Sequence, residues 1–166
     1  MIALKILDVK EFMAKLLIKR VFDNFLLSEA ELLCGCSYVI NGRRNKDWYS
    51  GEELLELSEP DYMCFSEQRP FLYQLIKGKK TPQSMKLILL LSRENVRKIL
   101  ERIGRGAEAD SIEGLFLNIR YEKGEVKLIT GSSFKVFTLD KTIEREWDDS
   151  LKVFLRHYEI AFEEIS

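Results

Sequence analysis

The sequence predicts an α+β fold, an antiparallel sheet with helices packed against it. Three observations carry this expectation. Short runs alternate apolar and polar residues at the period of a strand, as in Ile2, Leu4 and Ile6, and again in Leu115, Leu117, Ile119 and Tyr121. Elsewhere apolar residues recur at helical spacing, first at Val9, Phe12, Met13, Leu16 and Leu17. Turn dipeptides, Asn41-Gly42 and Lys123-Gly124, close extended segments in the manner of hairpins.

Each element follows in order. Ile2 to Ile6 reads as a half-buried strand that Asp8 stops; Asp8 and Glu11 make a capping-box-like start for a helix fading near Lys19. Phe25 to Leu33 and Ser37 to Ile40 are extended, parted by Cys34-Gly35-Cys36 and ended by Asn41-Gly42, with a third strand through Lys46 to Tyr49. The apolar run Lys86 to Leu91 has the length of a central strand buried on both faces. Ser92 then caps a helix whose Val96, Ile99, Leu100 and Ile103 share one face, and Gly104 sits at its end. Leu115 to Tyr121 forms a strand, Val126 and Leu128 begin its return, and Gly131-Ser132 turns into a last strand from Phe134 to Thr138.

The two halves can be laid on each other. Gly35 falls on Gly124 and Gly42 on Gly131 at one constant offset, which predicts a strand-helix-strand-strand-strand unit used twice. Unit one covers about 1–50, a helical insertion about 51–83, unit two about 84–139, and a C-terminal helix about 141–163, all within a single domain over 1–166. The last helix is marked by Ile143, Trp147, Leu151, Phe154, Leu155, Tyr158 and Phe162.

Composition narrows function by exclusion. With 26 basic and 27 acidic residues the formal net charge is −1, so no global field draws in nucleic acid or anionic membrane. No basic stretch leads into an apolar segment at the start, and no apolar run approaches the ~20 residues of a membrane span, so a cytoplasmic protein without membrane contact is expected. The 3 cysteines fit free thiols in a reducing compartment.

His157 is the only histidine and reads as a helix-surface residue, which removes most histidine-based catalysis. Cys34, Cys36, Cys64 and His157 lack the paired spacing of a structural zinc site, so no metal is expected. In an extended hairpin Cys34 and Cys36 point to the same face, which makes their oxidative pairing awkward. Gly78-Lys79-Lys80-Thr81 echoes the end of a phosphate loop, but Tyr73 stands where its first glycine is required, and no dinucleotide or calcium motif is present. No cofactor and no catalytic residues are assigned. Carboxylate or lysine chemistry is the enzymatic route left, and the acidic residues are scattered.

The candidate binding surface is basic and aromatic. Arg43, Arg44 and Lys46 adjoin Trp48 and Tyr49, the mixture that single-stranded nucleic acid binding uses, and Lys77, Lys79 and Lys80 form a second cluster in the insertion. A non-catalytic binding or assembly module is the leading expectation, with self-association or a protein or nucleic-acid partner. The alternatives are an enzyme acting on a small polar substrate through carboxylates and a nucleic-acid-binding module built on these clusters.

The chain resembles a family of small uncharacterised bacterial proteins, carried as a domain of unknown function. The likeness lies in Ile2-Ala3-Leu4-Lys5-Ile6 with Phe12-Met13 and Leu16-Leu17, in Phe22-Asp23-Asn24-Phe25-Leu26-Leu27, and in Asn41-Gly42-Arg43 leading to Lys46-Asp47-Trp48-Tyr49. It implies a bacterial cytoplasmic protein and no particular chemistry. The doubled unit is also similar in pattern to the building block of DNA sliding clamps, although the insertion departs from the short connection of clamps and no clamp motif is present.

Overall fold

A computed structural model of the chain describes residues 1–165. The α+β expectation holds: eight strands form one antiparallel sheet with the helices against it. Strand β1 (Ala3–Ile6) leads into helix α1 (Val9–Leu17), where the Asp8 side chain accepts a hydrogen bond from the Glu11 amide at 3.0 Å. Strands β2 (Leu26–Leu33) and β3 (Ser37–Asn41) pair as a hairpin. Helix α2 (Gly51–Glu56), the two-residue strand β4 (Met63–Cys64) and helix α3 (Phe65–Ile76) make up the insertion. Strand β5 (Ser84–Leu90), helix α4 (Arg93–Arg102), and strands β6 (Ile112–Glu122) and β7 (Glu125–Phe134) follow, then helix α5 (Thr142–His157) and strand β8 (Phe162–Glu164). The sheet order is β3-β2-β5-β6-β7-β1-β8, with β4 paired to the end of β2.

Alternation fixes the two faces. Leu4, Leu87, Leu89, Leu117, Ile119, Val126 and Leu128 point to one side and are buried there with Phe12 and Leu16 of α1, Phe65 and Leu72 of α3, Ile99 and Leu100 of α4, and Trp147, Leu151 and Leu155 of α5. One hydrophobic core lies on that side. At about 1.5–3 kcal/mol for each large apolar side chain, its burial is the principal term holding the helices to the sheet.

Local chemistry explains the turns. Lys123 (φ 53°) and Gly124 (φ 75°) both take left-handed backbone, as a two-residue type I′ hairpin between β6 and β7 requires. Gly104 (φ 73°) ends α4: its amide bonds the Glu101 carbonyl at 3.1 Å while the Arg105 amide bonds that of Leu100 at 2.8 Å, a Schellman cap.

Several expectations are corrected. The C-terminal helix ends near His157 instead of reaching 163, because Glu159 (φ 57°) adopts the same left-handed cap; Ile160 then enters the core and Phe162 belongs to β8. The strand expected at Lys46 to Tyr49 is a 3-10 turn over Lys46–Trp48, capped by the Asn45 side chain on the Asp47 amide; none of its residues is buried, and the Trp48 ring is left 82% exposed. Asn41-Gly42 does not reverse the chain. The hairpin turns at Cys34–Cys36, and Gly42 runs on between Ser28 and Met63, to which its amide and carbonyl bond at 2.8 Å each. Gly131-Ser132 is no turn either: β7 passes straight through, with Gly131 opposite Phe116, and the chain leaves the sheet after Phe134.

Each half therefore supplies a strand, a helix and a hairpin, but the pairing differs. In the second half β5 lies beside β6, whereas in the first β1 is separated from β2 by three strands. The five-element units do not share one sheet path. Among the described residues no helix is long and apolar enough to cross a membrane.

Candidate functional site

The side of the sheet away from the core is built in rows. Residues next to each core position point outward, and the register aligns Glu31, Lys86, Arg120, Lys127, Lys5 and Glu163 across six adjacent strands. Four of these six are cations on four neighbouring strands. Strands lie about 4.8 Å apart, so the four span about 14 Å. The row beside it runs Glu29, Ile88, Asn118, Ile129 and Ala3, and the next holds Leu26, Leu90, Phe116 and Gly131. Leu26 and Leu90 are buried yet stand apart from the main core, so the outer face carries a small apolar bed at one end. Gly114 accommodates it: a Cβ there would meet Leu90 Cδ2 at 2.8 Å and the Phe116 ring at 3.0 Å.

The outer cations are unequal. Lys86 is neutralised by Glu29 at 3.6 Å and Glu31 at 3.9 Å, and Lys5 by Glu125 at 3.5 Å. Arg120 and Lys127, exposed in the middle, meet no carboxylate among the described residues. Like charges directly opposite on neighbouring strands are destabilising, so this arrangement works against the fold.

The basic stretch expected from sequence is assembled differently. Arg44 is buried: its guanidinium pairs with Glu67 at 2.8 Å and donates to the Glu59 carbonyl at 2.7 Å and the Tyr49 hydroxyl at 3.1 Å. It ties the segment after β3 to the insertion. Burial pushes the Glu67 carboxyl up, but the Arg44 hydrogen bonds and charge outweigh this and hold it below the usual value. Arg43 donates to the Tyr62 hydroxyl at 3.0 Å and lies over its ring. Lys46 pairs with Asp61 at 2.9 Å, which Arg93 also engages at 2.8 Å; these cations hold Asp61 below its ordinary range. Lys77, Lys79 and Lys80 are exposed in the loop before β5, where the Gln83 amide bonds the Leu33 carbonyl. That loop is at the turn end of the β2–β3 hairpin, while Arg43 follows its open end. The two clusters are not brought together.

Catalytic groupings are sparse. His157 is exposed at the end of α5 with its ring against Tyr158. Burial raises the Glu59 carboxyl, with Arg93 opposing, but Glu59 sits among the insertion's loops and among the described residues no second carboxylate is hydrogen-bonded to it. Among the described residues no three His, Cys, Asp or Glu side chains gather as metal ligands. A cavity of about 590 Å³ lies between the two hairpin turns, lined by Cys34, Gly35, Lys80, Gln83, Tyr121, Lys123 and Gly124. A groove of about 480 Å³ runs between α4 and α5 over Ile99, Leu151 and Phe154.

Sequence reading missed Lys5, Lys86, Arg120 and Lys127 because they are far apart along the chain. The usable signal was present. Each lies next to an apolar residue of an expected strand, Leu4, Leu87, Ile119 and Leu128, so alternation sets it on the face opposite that residue; strand order was lacking, and for Lys86 the expectation of a strand buried on both faces hid the signal.

No curated protein and no solved structure matches the chain. Residues 15–163 match the family of unknown function DUF5721, nearly the whole length, and the chain belongs to that family.

Proposed function

We propose that the protein is a single-domain, non-catalytic binding module that takes an extended polyanion across the outer face of its sheet. The observation that carries this reading is the in-register cation row, Lys86, Arg120, Lys127 and Lys5, with its two central members unpaired. A stable fold has no use for two unpaired like charges set side by side between two further cations. A string of phosphates or other anions laid across the strands relieves the repulsion. The half-buried Phe116, Ile88 and Ile129 with Asn118 offer apolar and hydrogen-bonding contacts beside it, which favours single-stranded nucleic acid as the polymer. Acidic groups at the ends of the row, Glu31 and Glu163, confine the contact to the centre of the sheet. Free thiols at all three cysteines agree with a cytoplasmic setting.

Fluorescence anisotropy of a labelled oligonucleotide across a salt series tests this. With four phosphate contacts the slope of log K against log salt is about −3 for a single strand. Replacing Lys5, Lys86, Arg120 and Lys127 together by Ala abolishes the binding, while Arg43→Ala with Lys46→Ala leaves the slope unchanged. Absence of binding at low salt, or equal binding by the fourfold variant, refutes the reading.

A further inference from the structure

Cys34 and Cys36 do not sit two apart along one strand. The chain reverses around Gly35, with the Cys34 amide donating to the Cys36 carbonyl at 3.0 Å and Leu33 paired to Ser37 just behind. The two cysteines therefore face each other across the tip of the hairpin. Two residues either side of one glycine in a chain that reverses lie closer than the roughly 7 Å of full extension, and continuing the ladder from Leu33 and Ser37 sets their side chains on one side. That separation is within reach of a disulfide. Extended spacing, which made the pairing awkward, is not what the chain adopts.

The surroundings of the two thiols differ. Cys36 is exposed, while Cys34 is half-buried against the core and lines the cavity of about 590 Å³. Lys80 and Lys123 line the same cavity. Their ammonium groups suit the carboxylates of a small peptide-like disulfide.

We propose that Cys34 and Cys36 form a reversible dithiol–disulfide site, oxidised by an anionic low-molecular-weight disulfide of the glutathione class that docks between Lys80 and Lys123. The Cys36 thiolate attacks one sulfur of the small disulfide and releases one thiol, leaving a mixed disulfide on Cys36. The Cys34 thiolate then attacks the Cys36 sulfur and expels the second thiol. The protein loses two protons and two electrons, and the small disulfide takes them up to become two thiols. A bond spanning one glycine at an exposed turn belongs to the labile class, so reduced glutathione opens it again.

Intact-mass measurement after oxidation by glutathione disulfide and acid-quenched alkylation tests the site on the full chain. The wild type becomes lighter by two hydrogens with Cys64 still alkylated, and returns to the dithiol in excess reduced glutathione. Cys34→Ser stops at a glutathione adduct on Cys36, and Cys64→Ser behaves as wild type. Lys80→Ala with Lys123→Ala slows oxidation by glutathione disulfide several-fold while leaving the rate with an uncharged dihydroxyethyl disulfide unchanged. A stable glutathione adduct on the wild type, a bond to Cys64, or no reaction overturns the site; equal slowing with both oxidants overturns the docking step.

Discussion

Replacing Lys127 by Glu should make the protein more stable while removing its proposed function. Lys127 lies between Arg120 on β6 and Lys5 on β1, directly opposite each in the register. Two unit charges about 7 Å apart at the surface repel by roughly 0.6 kcal/mol in water, cut to roughly 0.25 kcal/mol at physiological salt. Lys5 is already paired with Glu125, so reversing the sign of Lys127 chiefly turns its repulsion from Arg120 into an attraction, two such terms, or about 1 kcal/mol at low salt and about 0.5 kcal/mol at 0.15 M. For a chain of this size about 1 kcal/mol raises Tm by about 2–4 °C. Helix propensity and core packing are not involved, since the site is an exposed strand position. Urea unfolding and thermal melts at low and physiological salt provide the assay, with Lys127→Gln expected to give about half the gain. A variant that is less stable, or a gain that does not shrink with salt, would show that the outer cations do not repel one another as a row.

Gly42→Ala should unfold or severely destabilise the protein, by about 3 kcal/mol or more; its Cβ would lie 1.8 Å from the Leu27 carbonyl oxygen, and an unchanged urea midpoint would contradict that packing. Thr130→Val should cost about 2–4 kcal/mol: the Thr130 hydroxyl donates to the buried Asp148 carboxylate at 2.5 Å and accepts from the Ile2 amide at 2.9 Å, and Thr130→Ser should restore most of the loss. Stability should fall in acid. Glu67, Asp61 and Asp140 have depressed values in the fold, Asp140 down to about 2 through the Thr142 hydrogen bonds and Arg105. Their contribution is full above the unfolded carboxylate values near 4 and is lost as pH falls through the folded ones. Urea midpoints should therefore be flat above pH about 5 and drop between about 4 and 2, with Glu67→Gln removing part of the drop.

Elements with both a periodic pattern and a cap were legible in the sequence. Helix α4 is the clearest case, announced by Ser92, an apolar stripe and Gly104, and found between those residues with the Ser92 hydroxyl on the Asn95 amide. The errors fall where a local signal has more than one physical outcome. Asn41-Gly42 is a strong hairpin dipeptide, yet Gly42 is needed for close approach to the Leu27 backbone, not for a turn. The Leu-rich run of β5 was expected to be buried on both faces, and Leu87, Leu89 and Leu90 are, while Ile88 is half-exposed because the outer face lacks a covering layer. Arg44 shows the limit for sites. Nothing in a basic stretch tells a solvated arginine from one drawn inward by a glutamate on a helix 23 residues on, since that depends on where the insertion folds back.

Core and outer face are two results of one register. Each of the four cations is the immediate neighbour of a fully buried core residue, Leu4, Leu87, Ile119 or Leu128, so a one-residue slip of any of these strands would bury a charge and expose a leucine or isoleucine. The hydrophobic core therefore fixes where the row lies to within the rigidity of the sheet. It does not fix what the row is made of. Any polar residue would satisfy the alternation, and a glutamate at one of the two central positions would pair with its neighbours as Glu31 does with Lys86. Folding accounts for the geometry of Lys86, Arg120, Lys127 and Lys5 and is opposed by their charge. Binding a polyanion accounts for both, and that is why the outer face of the sheet, and not the Arg43 to Tyr49 stretch, is the surface to test first.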